Sequence, residues 1–269
     1  MKILFISLGC DKNLADSEEM LGLLTGSGHE IVDSEEEAEA IVINTCCFIH
    51  DAKEESVNTI LEMAEYKKTG KCKALVVTGC MAQRYKEEIT QEIPEVDAVL
   101  GTTSYGDIVK ALNEVQAGHV FQEFRDINEL PEDSGRRVLT TGGHFGYLKI
   151  AEGCDKHCTY CIIPSLRGSF RSVPEERLLA QAEYMASQGV KELILVAQET
   201  TVYGTDLYGR KTLHILLKKL CQIRGIRWIR VLYCYPEEIY DELIQVMKEE
   251  KKICNYLDLP IQHASDRIL

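Results

Sequence analysis

The sequence predicts an α/β protein: an N-terminal doubly wound parallel sheet domain followed by an incomplete (β/α) partial barrel. Three observations carry this. Apolar runs of strand length alternate with helical patterns along nearly the whole chain. Its 269 residues suffice for two domains with cores of their own, at roughly 100–200 residues each. A polar stretch punctuated by Pro and Gly, "FRDINELPEDSGRRVLTTGG", interrupts the alternation. The expected division is therefore residues 1–123, a linker at 124–143, and residues 144–269.

In the first domain "KILFISLG" reads as a strand, followed by a helix opening near "ADSEEMLGLL", where Asp16 and Glu19 have capping-pair spacing. "EAIVINTC" is the next strand. The helix after it, near "DAKEESVNTILEMAEY", places Val57, Ile60, Leu61 and Ala64 on one face. "KALVVTGC" and the helical "MAQRYKEEITQEI" follow, then "DAVLG" and a helix near "YGDIVKALNEV". In the second domain the expected strands are "FGYLKIAEG", "ELILVAQ", "IRWIRVLY" and "NYLDLP", with helices such as "PEERLLAQAEYMASQG" and "LHILLKKLCQI" between them. Four β/α units make part of a barrel, and a closed barrel needs more. The chain stops at "SDRIL", which reads as the start of a further helix, so a C-terminal continuation is expected.

The opening "MKILFISLGC" is too short for a membrane span and lacks a small-residue cleavage site, which points to a reducing cytoplasm and no membrane association. In that compartment an odd total of 11 cysteines is poorly explained by disulfides and better by metal ligation or catalysis. The net charge of −13 argues against a basic, nucleic-acid-coating surface and is compatible with a basic protein partner.

Cys72, Cys221, Cys234 and Cys254 sit in apolar contexts and read as small buried hydrophobes. The loop "EGCDKHCTYCIIP" is different. Cys154, Cys158 and Cys161, spaced C-x-x-x-C-x-x-C after a strand, let three soft thiolates converge, a set that selects zinc or an iron–sulfur cluster. A structural zinc site needs a fourth protein ligand, and His157 directly precedes Cys158, poorly placed to share one ion with it. An iron–sulfur cluster with one open iron is therefore the preferred reading. A second triad emerges once the strands are placed. Cys10, Cys46 and Cys80 each lie just past the carboxyl end of a parallel strand, the edge where open α/β sheets bind ligands. Cys46 occupies the first position after its strand, and the neighbouring Cys47 must point elsewhere.

Together "EGCDKHCTYCIIPSLRG", "SLGCDKNLADSEEM", "VINTCCFIHDAKEES" and "VVTGCMAQRY" resemble the methylthiotransferase branch of the radical S-adenosylmethionine enzymes. "GCDKN", "AQETTVYGTD", "YCYPEEI" and "YLDLPIQHASDRIL" resemble its ribosomal-protein-modifying subgroup more than its tRNA-modifying one. The resemblance implies two 4Fe-4S clusters and S-adenosylmethionine, which chelates the open iron of the cluster on Cys154, Cys158 and Cys161 and is cleaved reductively to a 5′-deoxyadenosyl radical. It implies hydrogen abstraction from the β-carbon of an aspartate in small-subunit ribosomal protein twelve, sulfur from the cluster on Cys10, Cys46 and Cys80, and a flavodoxin- or ferredoxin-like electron donor. A tRNA methylthiotransferase acting on a modified adenosine beside the anticodon is the alternative, and a non-catalytic iron–sulfur protein a remote one.

By the same resemblance Tyr160 lies against the cofactor adenine, or else packs its loop, while Gln198 and Glu199 hold the cofactor's amino group or else cap a strand end. Gln262 and His263 fall after the fourth strand and are given no catalytic role. Two positions depart from the family pattern: Cys47 stands where glycine is common, and Val173 where an arginine is common. The family also completes the barrel and adds a β-rich TRAM domain, neither of which is in this chain.

Overall fold

The structure, a computed structural model, describes residues 1–132, 135 and 137–268. It divides into two compact units: Met1–Val138 with His157–Gly168, and Leu139–Lys156 with Ser169–Leu269.

The first unit is a six-stranded sheet. Its elements run β1 (Lys2–Ser7), α1 (Asp11–Gly26), β2 (Glu30–Val32), β3 (Ala40–Thr45), α2 (His50–Thr69) and β4 (Ala74–Gly79). Then come α3 (Cys80–Arg84), α4 (Lys86–Glu92), β5 (Ala98–Leu100), α5 (Ile108–Gln116) and β6 (Phe121–Glu123). Strand order is β2-β1-β3-β4-β5-β6, every pairing parallel. Alternate strand residues feed opposite faces. Ile41, Ile43, Leu75, Val77 and Val99 pack with Ile60, Met63, Ala64 and Met81, whereas Ala40, Val42, Val76, Ala98 and Leu100 pack with Met20, Leu24, Ile108 and Leu112. Helices thus cover both faces, as a parallel sheet requires. The direction of winding reverses between β1 and β3, and ligands of such sheets bind beyond the carboxyl ends of the strands at that reversal.

Several local expectations are corrected. Helix α1 begins at Asp11, so Asp16 and Glu19 are interior residues rather than a cap; their carboxylates instead take Arg167 and the Tyr105 hydroxyl. The buried face of α2 is Ser56, Ile60, Met63 and Ala64, with Leu61 48% exposed. The helix expected after β4 breaks at Tyr85, whose φ of −119° and ψ of 32° are not helical. The short strands β2 and β6 extend the sheet at its two edges. The expected linker does not run free over its described part. Arg125 pairs with Asp107 at 2.9 Å, and the buried Arg137 pairs with Glu18 at 2.7 Å. Of that stretch, residues 133, 134 and 136 lie outside the described residues. The returning segment adds α6 (Ile163–Arg167) to this unit.

The second unit holds β7 (Phe145–Lys149), β8 (Ala151–Glu152), β9 (Arg171–Ser172), α7 (Glu175–Ser187), β10 (Glu192–Val196) and α8 (Thr205–Tyr208). It continues through α9 (Leu213–Cys221), β11 (Trp228–Val231), α10 (Asp241–Glu249) and β12 (Ile253–Leu257). Strands β12-β11-β10-β7 form a parallel sheet, with α7, α9 and α10 as crossovers. The helix expected to begin at "SDRIL" is not seen among the described residues, where the chain after β12 makes only a bend and a turn. The first expected strand splits at Ile150, because β8 leaves the sheet to pair with β9 as an antiparallel ribbon. Leu148, Leu193, Leu195, Ile229 and Val231 are buried, as are Leu178, Met185, Leu216, Leu220 and Leu243 of the helices. Among the described residues no helix is long and apolar enough to cross a membrane.

Candidate functional site

Three turns at the carboxyl edge of the first sheet carry Cys10, Cys46 and Cys80. Cys46 and Cys80 directly follow β3 and β4. Cys10 does not directly follow β1: Leu8 extends the strand by donating to the Asn44 carbonyl at 2.9 Å, and Gly9 then turns so that Cys10 caps α1. Gly9 and Gly79, each just before a cysteine, share a φ of +92°, a backbone that glycine adopts without steric cost. A Cβ on Gly9 would stand 2.8 Å from Cys46 Cβ and 3.1 Å from its sulfur, so the first two turns touch. Ser56 pins the Cys46 backbone from both sides, accepting from its N–H at 3.0 Å and donating to its carbonyl at 2.8 Å.

The thiols act on one another. Burial pushes Cys46 up, and the Cys10 thiol adds to it. Burial pushes Cys80 up as well, opposed by the Arg167 guanidinium, which hydrogen-bonds it. Cys47 is buried in the core cluster that also holds Ile60 and Met63, and burial, with the nearby Cys80 thiol, pushes its own thiol up to about 12. Among the described residues no three His, Cys, Asp or Glu side chains are placed to share one metal ion. A cluster, whose thiolates attach to separate irons, spaces its ligands wider than a single ion with bonds of about 2.3 Å does.

Two residues that motif reading missed stand among these cysteines. Asn13 donates its amide to the carbonyls of Leu8 at 3.1 Å and Thr45 at 3.0 Å, and its Oδ1 lies 3.8 Å from the Cys80 sulfur. Arg167, 3% exposed, donates to that same Oδ1 at 2.6 Å and to Asp16 Oδ2 at 2.8 Å. The position of Asn13 one helical turn after Cys10 was a usable signal. Nothing local marked Arg167.

In the loop triad, Cys158 and Cys161 belong to the first unit and are half-buried, with the Cys161 N–H closing a turn onto the Cys158 carbonyl at 3.0 Å. Tyr160 between them is 71% exposed, its phenol held above its ordinary range by lost hydration and by the two flanking thiols. Cys154 belongs to the second unit and is buried, its sulfur accepting from the Lys156 N–H at 3.4 Å.

Within the second unit Cys154 lines a cavity of about 320 Å³ with Lys156, Glu199, Lys211 and Glu238. Glu199 follows β10 and is 1% exposed; its Oε1 accepts from Thr201 and from the Tyr235 N–H, while Oε2 is buried without a hydrogen-bond partner among the described residues. Burial raises its carboxyl above the usual range. The Oε1 of Gln198 is likewise buried and unpartnered. Lys156 and Lys211 both engage Glu238, whose carboxyl they hold below its ordinary range. Such a chamber, with one oxygen of a buried acid lacking a donor among the described residues, suits a ligand with an ammonium group. Val173 is buried and its carbonyl accepts from Tyr203 at 2.9 Å; Gln262 and His263 are exposed beyond β12.

Known proteins bear on both units. Residues 2–101 match the family described as uncharacterized protein family UPF0004, and residues 148–269 match the radical SAM superfamily. Along all of its length the chain is 66% identical to a ribosomal protein uS12 methylthiotransferase RimO of Lachnoclostridium phytofermentans, covering 61% of that protein. It is 51% identical to the one of Clostridium botulinum, covering 60%. The chain thus spans about three fifths of the length of these curated relatives. Among solved structures, the radical S-adenosylmethionine methyltransferase TsrM of Kitasatospora setae superposes with a TM-score of 0.65 at 12% identity, over all of this chain and 62% of that one. That likeness shows the fold, a parallel-sheet domain followed by a radical SAM domain. The radical SAM match of residues 148–269 implies a 4Fe-4S cluster and S-adenosylmethionine for that part of the chain. Both units thus match known family models, and over its whole length the chain is similar to proteins named as methylthiotransferases.

Proposed function

We propose that this chain is the two-domain catalytic portion of an enzyme that inserts sulfur and a methyl group at the β-carbon of an aspartate in small-subunit ribosomal protein twelve. The observation that carries the reading is the full-chain identity of 66% to a relative named for that activity. Residues 1–123 would carry the auxiliary centre and residues 144–269 the radical SAM core. The ligands would be Cys154, Cys158 and Cys161 for one 4Fe-4S cluster and Cys10, Cys46 and Cys80 for a second, and the electron donor a flavodoxin- or ferredoxin-like protein. When bound, these clusters and S-adenosylmethionine supply the radical chemistry and the sulfur; the protein supplies binding, orientation and a water-poor site.

The cavity beside Cys154 fits the sulfonium cofactor. Buried Glu199, whose Oε2 has no hydrogen-bond partner among the described residues, would take its ammonium, with Gln198 alongside. Lys156 and Lys211, both paired with Glu238, would offer cationic charge to the cofactor's carboxylate. Tyr160, exposed in the loop, would cover the adenine. The deciding test is mass analysis of the ribosomal protein and of tRNA from cells lacking the full-length gene. Loss of the methylthio group from the ribosomal protein alone is expected. Unmodified tRNA beside a normally modified ribosomal protein would assign the activity to tRNA instead.

A further inference from the structure

Asn13 touches the turns of all three N-terminal cysteines. Its amide nitrogen holds the carbonyl of Leu8, two residues before Cys10, and that of Thr45, just before Cys46. Its Oδ1 faces the sulfur of Cys80. An amide oxygen can accept two hydrogen bonds, and here the second comes from Arg167 at 2.6 Å. The backbone of Asn13 is fixed in turn, its carbonyl accepting from Asn44 Nδ2 at 2.9 Å. Arg167 is the one of these groups that brings a full positive charge, and it pairs with Asp16 through Nη1 while its Nη2 bonds Asn13. Both side chains are almost wholly buried, so their charges are weakly screened at the site.

We propose that Asn13, Arg167 and Asp16 form a positioning network for the N-terminal cysteine site, setting where its three thiols stand and how much positive charge its occupant experiences. The inference rests on the reading that Cys10, Cys46 and Cys80 hold an iron–sulfur cluster. Asn13 is the positional member, since removing its amide frees two turns at once. Arg167 and Asp16 are the electrostatic members and act in opposite directions, because hydrogen bonds and charge near a cluster tune its potential.

The test uses the full-length protein with Cys154, Cys158 and Cys161 changed to alanine, leaving one cluster, reconstituted anaerobically and followed by iron content and an EPR-monitored redox titration. R167Q should shift the midpoint potential negative, D16N should shift it positive, and R167K should restore the parent value. N13A should lose most of the bound iron. Unshifted potentials in both R167Q and D16N would overturn the proposal, as would N13A binding iron like the parent. If R167Q takes up no iron, D16N against R167K decides: equal potentials overturn the network, a positive shift in D16N alone supports it. A parent that itself binds no iron would overturn the cluster reading and the network with it, whereas a loaded parent with unshifted variants sinks the network alone.

Discussion

Arg167 Nη1 meets Asp16 Oδ2 at 2.8 Å across a sequence separation of 151 residues, with side chains only 3% and 4% exposed. The pair joins α6, in the segment that carries two of the loop cysteines, to the helix capped by Cys10. Removing one partner of a buried pair leaves an uncompensated charge and costs about 3–5 kcal/mol, whereas replacing both by apolar residues can be neutral. D16A should therefore lower the urea midpoint by an amount equivalent to about 3–5 kcal/mol, and the D16L/R167M double variant should recover most of it. A double variant no more stable than D16A would show that Arg167 is held chiefly by Asn13.

Gly79 stands where no side chain fits. Its Cβ would lie 2.5 Å from the Thr45 carbonyl oxygen and 2.8 Å from the Thr45 nitrogen, at a φ of +92°. Gly118 has nearly the same φ, +85°, with open space around it. G118A should cost only the conformational penalty of about 1–2 kcal/mol. G79A should cost clearly more and also displace Cys46, next in the chain after Thr45. Thermal unfolding of the two variants side by side checks this, with cluster loading as the second readout.

These contacts mark where sequence reading stops. Strands such as "EAIVINTC" and "KALVVTGC" were legible because parallel strands buried on both faces are continuous apolar runs, and the cysteines after them because thiols at strand ends are conspicuous. The start of α1 differs from the pattern for a physical reason: Asp16 and Glu19 have the spacing of a cap, but Cys10 and the turn at Gly9 begin the helix earlier, and both carboxylates serve tertiary contacts. Arg167 and Asn13 were invisible as a pair because their 154-residue separation carries no local pattern. Leu61 belonged by periodicity to the α2 face, yet the helix lies on the sheet through Ser56 and Met63, because Ser56 bonds the Cys46 backbone.

Cys46 and Cys47 are adjacent and both lie near the Cys80 thiol, but their other neighbours differ. Cys46 is beside Cys10 and Arg167, while Cys47 is beside Arg84 and belongs to the core cluster that holds Ile60, Met63 and Leu75. C46A is expected to lose the N-terminal cluster, and C47A to keep it while lowering stability slightly through lost packing. Iron content and visible absorbance of the two variants, each in the background lacking the loop cysteines, decide between them. Loss of iron in C47A with full loading in C46A would reverse the ligand assignment.

Glu199 ties stability to pH. Burial raises its carboxyl above the ordinary 4.5, so over that range the folded chain binds more protons than the unfolded one. Stability then falls as pH rises from about 4.5 to the folded-state value and is flat beyond it, since the slope follows the difference in bound protons. E199Q, which stays neutral throughout, should remove this component. The thermal midpoint of the parent minus that of E199Q should decline with rising pH and then level off. A difference that rises with pH would mean that Lys156, Thr201 and the Tyr235 N–H outweigh burial and hold Glu199 ionised. In the same variant calorimetry should show weakened S-adenosylmethionine binding, because the buried Oε2 is then no longer an anionic acceptor for the ammonium.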